Sequence, residues 1–123
     1  MSKKIAITAQ NRKTISSHAG ACRNFFIYTV DSKGEFTKEL LELEKNESLK
    51  YTFHEDTSES PSNKIFDMDV LLTQGIGLGG VHRLAKHQVD AHVIKESDPD
   101  EAIRKYLNNT LEYFPAKNHK DHK

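Results

Sequence analysis

A chain of 123 residues holds one domain around one core, and its 36% hydrophobic and 29% charged residues exclude a disordered polymer. Eighteen basic side chains balance 18 acidic ones, which argues against nucleic acid or an anionic membrane as partner, and no apolar run approaches the ~20 residues of a bilayer span. The apolar part of the N-terminus is too short for a secretory signal, and Cys22 is the only cysteine, so no intramolecular disulfide forms and the expected address is the cytoplasm.

Residues 4–9 (Lys-Ile-Ala-Ile-Thr-Ala) are β-branched and apolar and predict a buried first strand. Residues 10–24 are polar and read as a loop. The aromatic, β-branched stretch 25–30 predicts a second strand, and Asp31-Ser32-Lys33-Gly34 supplies turn residues for an antiparallel return. The third strand is expected within residues 36–44, where Leu41 and Leu43 alternate with Glu42 and Glu44, although 38–45 also has helix propensity. Residues 49–53 alternate again, 56–63 read as a polar loop, and Ile65 and Phe66 suit one short helical turn.

Residues 69–73 (Asp-Val-Leu-Leu-Thr) predict a strand buried on both faces, as in a parallel sheet. A glycine-rich turn follows, then a helix to about Lys86 with Val81, Leu84 and Ala85 on one side, then a strand over 91–94. Together these make one βαβ unit with a right-handed crossover. Asp98, Pro99 and Glu101 spell an N-cap, a first-turn proline and a capping box. Ile103, Tyr106, Leu107, Leu111 and Phe114 recur at helical spacing, which predicts a last helix running to Pro115. Residues 116–123 are a charged tail expected to be disordered. A hairpin half joined to a βαβ half gives a mixed five-stranded α/β sheet.

Two features carry chemistry. Imidazole and thiolate suit iron, zinc or an iron–sulfur cluster, so His18 and Cys22 are candidate ligands; equally, Cys22 reads as a small buried hydrophobe and His18 as a loop residue. The run Gly75-Ile76-Gly77-Leu78-Gly79-Gly80 formally fits G-x-G-x-x-G, with Gly75, Gly77 and Gly80 at the motif positions and Gly79 between them, between a strand and a helix, where exposed amides suit an anion; equally, it reads as a tight turn. A dinucleotide fold needs its first strand to feed such a loop, so no nicotinamide or flavin is expected. His82, taken to lie in the first turn of the following helix, and His54 are further metal-ligand candidates around the same cleft. His87 and His92 read as peripheral, and His119 and His122 as part of a solvated tail.

The order of elements resembles the dinitrogenase iron–molybdenum cofactor biosynthesis family. The matching pieces are Ile5-Ala6-Ile7-Thr8, His18-Ala19-Gly20, Phe25-Phe26-Ile27-Tyr28, Asp69-Val70-Leu71-Leu72, Gly75-Ile76-Gly77, Leu84, and Asp98-Pro99-Asp100-Glu101-Ala102 ahead of Tyr106-Leu107. The chain departs where many relatives have His-Phe-Gly instead of His18-Ala19-Gly20, and where some have His-Pro instead of Asn63-Lys64. The resemblance implies a three-layer ribonuclease H-like domain over residues 1–115, with strands 1–3 antiparallel, strands 1, 4 and 5 parallel, and helices on both faces. It places His18 in a loop that approaches a cofactor. It implies a small nitrogenase accessory or carrier protein that transiently binds an iron–sulfur or iron–molybdenum type cluster, or its precursor, and meets metallocluster assembly or recipient proteins.

Strand one carries no acid, which argues against the two-metal nuclease chemistry of ribonuclease H, and no triad or nucleophile elbow is present, so no enzymatic activity is expected. Two alternatives remain: a regulatory or interaction module on the same fold without metal, and anion or nucleotide binding at the glycine loop.

Overall fold

Three apolar residues behind two lysines make strand β1 (Lys3–Thr8), which is exposed at the lysines and fully buried from Ile5 onward. The computed structural model describes residues 3–19, 22–43 and 64–115. Strand β2 (Asn24–Val30) pairs antiparallel with β1, and β3 (Phe36–Glu42) pairs antiparallel with β2. The turn between them is held by Asp31, whose Oδ1 accepts the Lys33 and Glu35 amides at 2.8 and 3.0 Å. Gly34 closes that turn at φ +86°, where a Cβ would be strained. Residues 38–42 are strand rather than helix because each finds a partner on β2.

A 3-10 turn (Lys64–Asp67) leads into β4 (Val70–Thr73), and then come α1 (Leu78–Ala85), β5 (Asp90–Val93) and α2 (Pro99–Leu107). The strand order is β3-β2-β1-β4-β5, with β1, β4 and β5 mutually parallel. Strand alternation sends alternate side chains to opposite faces and makes two cores. Ala6, Phe25, Ile27 and Leu71 pack with Leu84 of α1 and Ile65 on one face; Ile5, Ile7, Tyr28, Val70 and Leu72 pack with Ala102 and Ile103 of α2 on the other. The fold is therefore the mixed five-stranded sheet that the element order predicts, with helices on both faces as the resemblance implies. No helix among the described residues is long and apolar enough to cross a membrane.

Three local expectations need correction. Ala85 is exposed, so the buried side of α1 rests on Leu84, with Val81 partly covered. Asp98 caps α2 by accepting the Asp100 amide at 3.0 Å, whereas Glu101 pairs with Arg104 at 3.3 Å along the helix. Finally, α2 stops at Leu107 rather than near Pro115. Asn109 turns left-handed at φ +61°, and the Thr110 amide bonds back to the Lys105 carbonyl, the pattern that closes a Schellman end. Leu111 still reaches the core, and Phe114 forms an antiparallel bridge with Val93 on the edge strand, donating its amide to the Val93 carbonyl at 2.8 Å. Residues 49–53, the 56–63 loop and the 116–123 tail lie outside the described residues.

Helix α2 is tied to the antiparallel half through Asp100. The buried Tyr28 hydroxyl donates to its carboxylate at 2.5 Å, and Lys38 of β3 reaches the same oxygen at 3.1 Å. The Tyr28 bond, with Lys38 beside it, holds the Asp100 carboxyl below its ordinary pKa, while burial and the neighbouring carboxylate push the Tyr28 hydroxyl up.

Candidate functional site

Because β1 and β4 are parallel neighbours, the loops that follow them leave from the same end of the sheet. The first loop folds back over that end. The Ser16 amide donates to the Thr8 carbonyl at 3.0 Å, and the Ser16 carbonyl accepts the Gln74 amide at 3.0 Å. Ser16 thus sits between the diverging ends of two strands. On either side of it, the Ile15 amide bonds the Ser97 carbonyl at 2.8 Å and the Ala19 amide bonds the Gly75 carbonyl at 2.9 Å. The cleft expected between the strand ends is therefore filled by the chain's own backbone, and a guest would rest above residues 16–19 rather than between the strands.

Gly75 explains how the loops come so close. A Cβ placed there would lie 2.9 Å from the Ser17 Cβ, closer than side chains tolerate, and in ordinary contact with the His18 nitrogen at 3.5 Å. Gly75 is needed for close approach, not for handedness, since Gly34 is the sole described glycine with positive φ. Gly77 is the N-cap of α1 at φ −73°, ψ 155°, an extended conformation open to any residue. Gly79 meets nothing within 4 Å at its Cβ position, and Gly80 follows it in the first turn of the helix. No acid lies in that first turn, so none of its own side chains offsets the positive end of the helix.

His18 is exposed on this rim and left-handed, at φ +58°. Cys22 is close in sequence but turned inward, only 2% exposed, in the α1-side core with Ala19 and Ile76. Its Sγ donates to the Asn24 carbonyl at 3.0 Å and lies 3.8 Å from the Ser16 hydroxyl. Burial pushes the Cys22 thiol up, so the protonated form dominates at neutral pH. A disulfide reagent at about pH 8 is expected to label Cys22 about a hundredfold or more slowly in the folded protein than in denaturant, because the thiol reacts only on opening. Rapid stoichiometric labelling of the folded chain would contradict this placement.

His82 is exposed in the last turn of α1, not in its first, so it stands farther from the glycines than the sequence suggested. His54 lies outside the described residues. The structure therefore brings His18 and Gly75 together, packs Cys22 beneath them, and leaves His82 on the far part of the helix. Among the described residues no three His, Cys, Asp or Glu side chains gather as a metal site.

Sequence reading overlooked the polar seam below the rim. Thr8 and Thr73, both fully buried, end β1 and β4, and their hydroxyls lie 2.9 Å apart. Thr8 Oγ1 is 2.6 Å and Thr73 Oγ1 3.1 Å from the Ser16 carbonyl oxygen, and the Gly75 amide donates to Thr73 Oγ1 at 3.2 Å. The available signal was a threonine closing each of two apolar strands.

The family described as dinitrogenase iron-molybdenum cofactor matches residues 1–109 of this chain. No curated protein matches it. Among solved structures, a protein of Methanocaldococcus jannaschii provisionally described as a dinitrogenase is similar with a TM-score of 0.67 at 14% identity, over 95% of this chain and 99% of that one. A provisionally assigned NifB protein from Thermotoga gives 0.59 at 16% identity, over 94% and 98%. The apo form of the orange protein from Desulfovibrio gigas gives 0.62 at 16% identity, over 93% and 94%.

Proposed function

Since this chain belongs to the dinitrogenase iron–molybdenum cofactor family, we propose that it is a non-catalytic carrier that takes up an anionic iron–sulfur or iron–molybdenum type cluster, or a precursor, and passes it to a metallocluster assembly or recipient protein. The observation that carries this reading is the meeting of the two loops, where His18 stands against Gly75 at the end of β4, just before the N-terminus of α1. An exposed imidazole offers one coordinate bond to a metal, and a helix end with no acid in its own first turn favours negative charge. With Cys22 buried and protonated, the rim holds a cluster by few bonds, which suits release over storage. The orange protein, solved as an apo form, gives a precedent on this fold for a protein that exists without its group.

Anaerobic reconstitution with iron and sulfide is expected to give substoichiometric visible absorbance, and His18→Ala to weaken uptake about tenfold. Equal uptake by wild type, His18→Ala and the His18→Ala/Cys22→Ser double variant would sink the site. The inward Cys22 favours a second reading, an interaction module that keeps the fold without a metal cargo. Metal content after mild anaerobic purification separates the two.

A further inference from the structure

Threonine and valine have nearly the same shape, and a buried strand end surrounded by apolar residues would ordinarily take valine. A buried hydroxyl is costly unless bonded, so two of them side by side need a cause. Both hydroxyls converge on one atom, the Ser16 carbonyl oxygen, which already accepts the Gln74 amide. The two hydroxyl protons can fill two of the three sides of that triangle at a time, and Thr73 Oγ1 also receives the Gly75 amide and lies 3.2 Å from the Gly75 carbonyl oxygen. The seam thus grips both loops at once: Ser16 two residues before His18, and Gly75 itself.

We propose that Thr8 and Thr73 are positioning residues for the rim, setting the spacing between the His18 loop and the Gly75 loop and keeping His18 in its left-handed conformation. The inference rests on the rim being the cargo site. A left-handed backbone is unfavourable for a non-glycine residue, so His18 abandons it unless the surroundings over-determine it. The bonds at Ser16 and Ala19 supply that constraint, and the hydroxyl seam anchors Ser16.

The test compares Thr8→Val and Thr73→Val with Thr8→Ser and Thr73→Ser in the full chain. Amide hydrogen exchange at Ala19 and Gln74 reports the loop spacing without any cargo. The valine variants are expected to speed exchange at these two amides about tenfold to a hundredfold while β2 amides keep their protection, and the serine variants to restore it. Iron and sulfide uptake should fall in the valine variants and recover with serine. Wild-type exchange in the valine variants, or equal acceleration at every amide, overturns the proposal. Loosened loops with undiminished uptake overturn it too. If wild type takes up no iron or sulfide while exchange still responds, the cargo reading falls, and with it the positioning role, leaving a latch that serves the loops alone.

Discussion

Gly75→Ala is expected to damage the rim more than any other single methyl group added to it. The new Cβ would arrive 2.9 Å from the Ser17 Cβ. Both atoms are fixed directly to backbone, so neither swings away by changing rotamer, and the loops themselves must part. That strains the Ala19-to-Gly75 bond of 2.9 Å and moves His18 with it. Forcing extra volume into a packed contact costs about 1–3 kcal/mol. The expected result is a melting temperature lower by several degrees and iron–sulfide uptake reduced about tenfold or more. Gly79→Ala provides the contrast, because its Cβ position is open and lies inside α1. Replacing a helical glycine by alanine there should be neutral or stabilising by about 0.5–1 kcal/mol. Matching thermal curves for Gly75→Ala and wild type would show that the loops do not meet as described.

Leu71→Ala carries the largest expected loss of stability. Leu71 is fully buried in β4, which lies between β1 and β5, and shares its cluster with Ala6, Ile65, Leu84 and Val89. Truncating such a side chain removes its transfer free energy and leaves a cavity, together about 2–5 kcal/mol. Against a total stability of about 5–15 kcal/mol for a domain of this kind, that is a large share. Urea denaturation should show a lower midpoint with an unchanged slope. Leu40→Ala, at a 41% exposed site on the edge strand β3, should shift the midpoint by no more than about 0.5 kcal/mol equivalent. Similar losses at both sites would mean that the core is not where the strands put it.

Most of the sheet was legible in the sequence because each strand is announced locally. Ile5, Ile7, Val70 and Leu72 are β-branched or apolar runs with no polar face, and Asp31 to Gly34 mark the hairpin through their own turn chemistry. The end of α2 was not legible. Leu107, Leu111 and Phe114 keep helical spacing, yet the chain leaves the helix at Asn109, and the later residues reach apolar surroundings by another path. Periodicity records which residues are apolar, not which route carries them inward.

The site was legible in outline only. His18 and Gly75 stand out by residue type, and parallel pairing of β1 with β4 brings their loops together. The inward turn of Cys22 depends on Asn24 and Ser16 accepting or contacting its sulfur, and the seam of Thr8, Thr73 and Ser16 joins residues up to 65 positions apart. Bonds across such a separation follow from the tertiary arrangement, and no local pattern encodes them.

The bridge between Phe114 and Val93 reaches beyond the portion of the chain that defines the family, which ends at residue 109. Among the described residues β5 is a border strand of the sheet, and such borders invite strand addition from neighbouring molecules. By folding back after Asn109, the chain spends part of that border on itself and inserts Leu111 as a wedge under the fold. A version trimmed at residue 109 would lose both this cover on β5 and the Leu111 contact with the α2-side core.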